Sequence, residues 1–235
     1  MSSYVPQLKK LAYLLNASPD FVSACLVELE NCGLLPSLQH QVEGVVGFET
    51  ANFESVTAFS LYRSLLYCAV RIQQPKLVVE TGTLHGISAA FILQALEKNG
   101  HGQLISLDLP SRDLSLSHQG TMMLPHSKSP GWVVPQHLRE RYQVREGRSE
   151  TLLPQLFDEG LTPDIFLHDS DHSYVHMMLE MSLAYTRMKQ GIIIVDNIEQ
   201  NSAFDDFCQN CDGASDQFSS YDSDVRRWQH GILVK

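Results

Sequence analysis

The chain is predicted to fold as an α/β domain built on a doubly wound parallel sheet, preceded by a helical extension. Three observations carry that prediction. From residue 75 onward, short β-rich runs alternate with helical stretches, the pattern of successive strand–crossover–strand units. One of these runs, Ile192-Ile193-Ile194-Val195, is apolar throughout, as a strand covered on both faces must be. Before residue 75 the apolar residues recur at helical spacing instead.

In chain order, Ser18-Pro19-Asp20 marks a helix start, with Ser18 as the cap and Pro19 at the first helical position, where a missing N–H costs nothing. That helix carries Phe21, Leu26 and Leu29 and is expected to stop at Gly33, ahead of Pro36. Residues 38–50 hold two glycines and read as a linker or loop. A longer helix is predicted over 53–74, carrying Phe59, Leu61, Leu65, Leu66 and Val70 and ended by Pro75. Strands are predicted at 77–79, 103–108, 142–145, 165–167 and 192–195, with helices over 87–97, 149–157 and about 174–189. Residues 217–235 fit a hairpin whose last strand is Gly231-Ile232-Leu233-Val234. The segment 110–135 is too long for an ordinary connection, and loops of that length in compact domains serve as lids or binding loops. The boundary is set at residue 45, with 1–45 as a helical extension (a lid or a homodimer surface) and 46–235 as the sheet domain.

Composition narrows the function. The 235 residues carry a formal charge of −10, which leaves no basic footprint for nucleic acid or an anionic membrane. No apolar run approaches the roughly 18 residues of a membrane span, and the first twenty residues lack a signal-peptide plan. Five scattered cysteines fit reduced thiols. The expectation is a cytoplasmic protein without a nucleic-acid or membrane partner.

The chemistry concentrates at strand ends, where doubly wound sheets bind ligands. The first strand runs into Glu80-Thr81-Gly82-Thr83-Leu84-His85-Gly86-Ile87-Ser88, whose two glycines permit a tight turn and close approach to a ligand. It lacks the third glycine of a dinucleotide turn, and it has no Walker lysine. Asp108 ends the second strand, where an acid accepts from a ribose, and Gly147-Arg148-Ser149-Glu150 follows the third, where it borders a base. Three consecutive strand ends then suit a nucleoside-type ligand. The bland alternative for His85 and Ser88 is that they cap the following helix.

These residues resemble the class I S-adenosylmethionine-dependent methyltransferases. The resemblance implies a Rossmann-like sheet of seven strands with the last antiparallel. It also implies a cofactor set of Glu80, Gly82, Thr83, His85, Gly86, Ser88, Asp108, Ser149, Glu150 and Asp169. The fourth and fifth strands run into Asp169-Ser170-Asp171-His172-Ser173-Tyr174 and Asp196-Asn197. Adjacent strand ends lie about 5 Å apart, so Asp169, Asp196 and Asn197 can converge as hard oxygen donors for Mg²⁺ or Ca²⁺. This arrangement is similar to the metal-dependent O-methyltransferases of the catechol and caffeoyl-coenzyme A type, and the Asp-Ser-Asp-His-Ser-Tyr phrase to bacterial methyltransferases of secondary metabolism. The resemblance implies His172 as general base, with Asp169 beside it in the catalytic set, Mg²⁺ on Asp169, Asp196 and Asn197, and a small-molecule hydroxyl as acceptor. A histidine where catechol-type enzymes carry lysine leans toward a sugar or polyketide hydroxyl.

Alternatives stay open at this point. Asp171, Ser173 and Asp196-Asn197 are also ordinary cap and turn residues. His172 and His176 have the i, i+4 spacing of a zinc pair, which suits a metal-dependent hydrolase on the same scaffold. A non-catalytic S-adenosylmethionine binder is the other alternative. The lone Cys208-x-x-Cys211 reads as two unpaired thiols, and Trp132 either covers the ligand or anchors its loop. Asn201 and Phe204 are placed on the acceptor side.

Overall fold

The computed structural model describes residues 5–43, 45, 60–109, 124, 125, 127–221 and 227–235. The elements are α1 (Val5–Leu14), α2 (Pro19–Asn31), α3 (Leu34–Val42), α4 (Leu61–Gln73), β1 (Leu77–Thr81), α5 (Ile87–Asn99), β2 (Gln103–Asp108) and β3 (Tyr142–Glu146). They continue with α6 (Ser149–Asp158), β4 (Ile165–His168), α7 (Tyr174–Arg187), β5 (Ile192–Val195), α8 (Ala203–Gln209), β6 (Ala214–Tyr221) and β7 (Arg227–Val234). Short 3₁₀ turns precede β3 and follow β5.

The seven strands form one sheet in the order β3-β2-β1-β4-β5-β7-β6. Pairs among β1 to β5 are parallel, whereas β7 runs antiparallel to both of its neighbours. Six strands therefore point one way and the last points back. The order reverses at β1 and β4, which opens a crevice at their carboxyl ends.

Period-2 alternation sends neighbouring side chains to opposite layers. Val78, Leu104, Ile165, Leu167, Ile192 and Ile194 join the core beneath α1–α5. Val79, Ile105, Phe166, Ile193 and Val195 join the one beneath α6–α8. Both faces of the central strands are thus covered, which is why their sequences read as unbroken apolar runs. Burying each such side chain contributes roughly 1.5–3 kcal/mol.

The helical extension shares this core rather than owning a separate one: Leu8, Leu11, Leu29, Leu34 and Leu38 belong to the same buried cluster as Leu65 and Phe91. Lys10 ties it to the far edge of the sheet, pairing with Asp216 at 2.5 Å and donating to the Gln217 carbonyl at 2.7 Å. No single described helix is long and apolar enough to cross a membrane.

Two element predictions need correction. The linker expected over 38–50 begins with helix: α3 runs through Val42. Gly33 takes a left-handed conformation (φ 78°) and α3 starts at once behind it, so Pro36 falls in the first turn, where no N–H is required. The helix predicted from residue 53 is described from Leu61, where Ser60 Oγ accepts from the Arg63 N–H at 3.2 Å; residues 53–59 lie outside the described residues, as do 46–50. Helix α8 was not anticipated, the first strand of the predicted hairpin starts at Ala214 rather than 217, and 110–123 of the predicted lid lies outside the described residues.

Candidate active site

Glu80 sits at the end of β1 and is fully buried. Ser106 Oγ donates to its carboxylate at 2.6 Å and Ser88 Oγ donates to the other oxygen. Burial pushes its pKa up, and these hydroxyl donors pull it back. These bonds tie Glu80 to β2 and α5, so it forms the floor of the turn.

Above that floor, Gly82 has φ 80°, and a Cβ placed there would stand 2.0 Å from the Asp169 carbonyl oxygen. The glycine therefore lets the first turn press directly on the backbone that follows β4. The N–H groups of Thr83 and Leu84 both donate to Asp108 Oδ2, at 2.8 and 2.7 Å. Asp108 is buried, and burial raises its pKa while those two N–H groups lower it. Gly86 (φ 94°) leaves room for Gly131, whose Cα would lie 2.6 Å from an added Cβ.

The described part of the long loop is fastened to this turn. Gly131 N–H donates to the Leu84 carbonyl at 2.8 Å, and Val133 N–H to that of His85 at 3.1 Å. Trp132 Nε1–H donates to His85 Nδ1 at 3.0 Å, so Trp132 anchors the loop to the turn. Burial pushes His85 down to about 4, which keeps Nδ1 free of a proton at neutral pH. Because this lies below the unfolded value of about 6.5, the unfolded chain takes up a proton first as pH falls. The anchor's stabilisation is complete above pH 6.5 and is lost as pH drops through about 4. Trp132 fluorescence should therefore change with a midpoint near pH 4, and Trp132→Phe, which leaves only Trp228, should abolish that transition. A midpoint near 6.5 would refute the assignment.

Ser149, at the start of α6, is buried and its Oγ lies 3.1 Å from His176 Nε2. Glu150 is the one member of the expected cofactor set that turns to the surface, pairing with Arg148 at 3.3 Å.

The second half of the site follows β4 and β5. Asp169 N–H donates to the Thr81 carbonyl at 2.9 Å and Asp196 N–H to the His168 carbonyl at 3.0 Å, so both acids continue the parallel ladder. Tyr62 O–H donates to Asp169 Oδ2 at 3.2 Å, and His230 Nδ1 to Asp196 Oδ1 at 2.6 Å. The Tyr62 and His230 rings stack at 4.5 Å. Burial pushes Asp169 well above the usual carboxylate range, and the charge of Asp196 pushes it further. Burial acts the same way on Asp196, yet the His230 hydrogen bond and charge hold it below its ordinary value. The coupling therefore drives the two carboxyls apart, Asp169 upward and Asp196 downward.

Asn197 adopts a left-handed backbone (φ 54°) that asparagine tolerates. Its Nδ2 donates to His172 Nε2 at 3.1 Å, while its Oδ1 is buried without a hydrogen-bond partner among the described residues. His172 Nε2 is also 3.8 Å from Asp169 Oδ1, and the Asn201 amide holds the His172 carbonyl at 2.7 Å. Burial, then His168, lowers the His172 pKa, which makes it a neutral imidazole. Phe204 is buried in the core beneath Gly231, which pairs with Val195.

An unsatisfied buried amide oxygen beside two carboxylates is a donor set that fits a hard divalent cation. Among the described residues no three His, Cys, Asp or Glu side chains converge as a metal site, so the amide is needed to complete the set. The zinc alternative fails on geometry: His172 turns to Asn197 and His176 to Ser149 and Glu180. Cys208 and Cys211 are free thiols, both raised by burial.

Sequence reasoning missed Tyr62, His230 and Glu180, and it singled out His176 only as half of a zinc pair. His230 was within reach, because the register pairs Val195 with Gly231 and so sets His230 opposite Asp196. Tyr62 and Glu180 lie on helices with no local signal for the site.

The description "methyltransferase domain" matches residues 79–198. A catechol O-methyltransferase of Niastella koreensis is 23% identical over 181 residues, covering 72% of this chain and 75% of that protein. The O-methyltransferase of Bacillus cereus in complex with SAH superposes with a TM-score of 0.57 at 17% identity, over 87% of this chain and 91% of its own. The O-methyltransferase TomG from Streptomyces achromogenes, involved in tomaymycin synthesis and solved with SAM, gives 0.57 at 15% identity, over 84% and 89%.

Proposed function

The chain belongs to the methyltransferase domain family, and from that premise we propose that this S-adenosylmethionine-dependent enzyme methylates a hydroxyl oxygen of a small molecule. The observation that carries the reading is the contact of Gly82 with the Asp169 backbone. It sets a nucleoside-type turn and a cluster of oxygen donors on one edge of the sheet, where a methyl donor and an acceptor oxygen must meet.

The turn at Gly82 and Gly86 receives the methionine part of the cofactor. Asp108, with both backbone N–H groups on Oδ2, offers Oδ1 to a ribose hydroxyl. Ser149 borders the adenine. Asp169, Asp196 and the Asn197 amide oxygen would hold a divalent cation such as Mg²⁺, which when bound lowers the pKa of a hydroxyl and orients its oxygen. His172 Nε2 takes the hydroxyl proton after giving up its hydrogen bond to Asn197. The oxygen then displaces the sulfonium at the methyl carbon in line, forming the C–O bond as the C–S bond breaks. Alignment supplies most of the acceleration in such a step.

Calorimetry with S-adenosylhomocysteine, with and without Mg²⁺, tests the cofactor half. Release of S-adenosylhomocysteine from S-adenosylmethionine with catechol, hexose and macrolide hydroxyls as acceptors, before and after EDTA, tests the rest. Binding and EDTA-sensitive turnover are expected. Binding without turnover of any hydroxyl indicates a non-catalytic binder, and the absence of binding overturns the reading.

A further inference from the structure

Beneath the two halves of the site lies a buried polar cluster that the mechanism above does not use. Its centre is Glu180 on α7, fully buried. Four side chains contact its carboxylate. Thr81 Oγ1 donates to Oε2 at 2.6 Å and His168 Nδ1 lies 2.5 Å from the same oxygen. Ser170 Oγ donates to Oε1 at 3.0 Å and His176 Nε2 lies 2.8 Å from it. Burial would raise the Glu180 pKa, but the hydrogen bonds from the two imidazoles outweigh it and keep the group ionised.

The partners are not arbitrary in position. Thr81 immediately precedes Gly82; His168 and Ser170 flank Asp169. His176 reaches on to Ser149 Oγ at 3.1 Å. His168 packs edge-on against His172, with ring centroids 5.5 Å apart and planes at 83°. Among the described residues His168 Nε2 is buried with no partner, so its bond to Glu180 is the polar contact that fixes the ring. One carboxylate thereby sets two side chains that each touch a different half of the site.

We propose that Glu180 is a positioning residue with two separable arms: through His176 it holds Ser149 for the adenine, and through His168 it holds the His172 ring. The proposal rests on the functional reading above for the role of each half. An apolar side chain would serve the core equally well, since replacing a buried polar network with well-packed apolar residues is often neutral for stability. What an apolar residue cannot do is orient two imidazoles.

Three variants test this: Glu180→Gln, His176→Gln and His168→Asn. S-adenosylhomocysteine affinity, measured by calorimetry, reads the adenine arm. The ring ¹⁵N signals of His172, assigned with His172→Asn, read the other arm without any acceptor. Losing one buried hydrogen bond is worth about tenfold in affinity. His176→Gln is therefore expected to weaken S-adenosylhomocysteine about tenfold and to leave the His172 signals in place. His168→Asn should shift the His172 signals and change the affinity by less than about threefold. Glu180→Gln should do both; if it fails to fold, the two histidine variants still decide. Variants that lose melting temperature yet keep wild-type affinity and His172 signals would overturn the proposal, as would histidine variants that move both readouts together. Failure of the wild type to bind S-adenosylhomocysteine would instead overturn the functional reading, with the His172 signals still deciding whether the network positions that ring.

Discussion

Replacing Asp196 by asparagine is expected to lower methyl transfer by at least about a thousandfold while leaving S-adenosylhomocysteine affinity within about threefold. The two acids stand where the parallel ladder of β4 and β5 ends, and Asp196 is the one held below its ordinary pKa, with His230 Nδ1 at 2.6 Å. Asparagine keeps the shape and can still accept from the His230 Nδ1–H, so the substitution removes charge rather than packing. Alanine would be a poorer test, because breaking a buried pair leaves an uncompensated partner and costs about 3–5 kcal/mol. Burial is the larger cause of the raised Asp169 pKa and persists in the variant, but loss of the Asp196 charge removes a second cause, so the Asp169 pKa should fall. Mg²⁺ calorimetry supplies a readout independent of turnover and should show weakened binding. Retention of more than about a tenth of wild-type turnover, or unchanged Mg²⁺ affinity, would remove Asp196 from the donor set.

Gly82→Ala is the second large effect, and it acts on folding and cofactor binding together. A left-handed φ of 80° costs an alanine roughly 1–2 kcal/mol by itself. The new methyl would also lie 2.0 Å from the Asp169 carbonyl oxygen and 2.8 Å from the Ser170 Cα, both backbone atoms with nowhere to rotate. The β1 turn and the β4 loop must part, for a combined cost of at least about 3 kcal/mol, near 10 °C in melting temperature for a chain of this size. S-adenosylhomocysteine binding should be lost with it. Gly33→Ala is the control: its φ is 78°, but nothing lies within 4 Å of the added Cβ, so only the backbone cost of roughly 1–2 kcal/mol remains. Equal losses at the two positions would show that the close approach of Gly82 to Asp169 is unimportant.

The sheet was legible because its strands bury both faces, so Ile192–Val195 and its neighbours announce themselves without any partner being known. Residues that begin or end elements were legible too, since a strand end is a fixed place in a doubly wound fold; Gly82, Asp108, Asp169 and Asp196 were found that way. What stayed hidden has a common cause. Tyr62, His230 and Glu180 reach the site from α4, β7 and α7, and their role arises only from packing across the sheet. Pro36 misled for a different reason, because a proline in a first helical turn looks the same in sequence as one that follows a last turn. Glu80 was legible by its place at the strand end, whereas its two hydroxyl partners, Ser88 and Ser106, come from α5 and β2 and carry no local signal.

The sheet order also bears on how the protein matures during translation. Strand β7 lies between β5 and β6, although β6 is made first. A nascent chain that has reached β6 thus lacks the strand β6 pairs with, and β6 joins the sheet only through β7. Until that happens Asp196 lacks its histidine, and the carboxylates carry their mutual repulsion without relief. Vectorial synthesis therefore leaves the five strands from β1 to β5 free to assemble early, and makes the arrival of residue 230 the step that commissions the site.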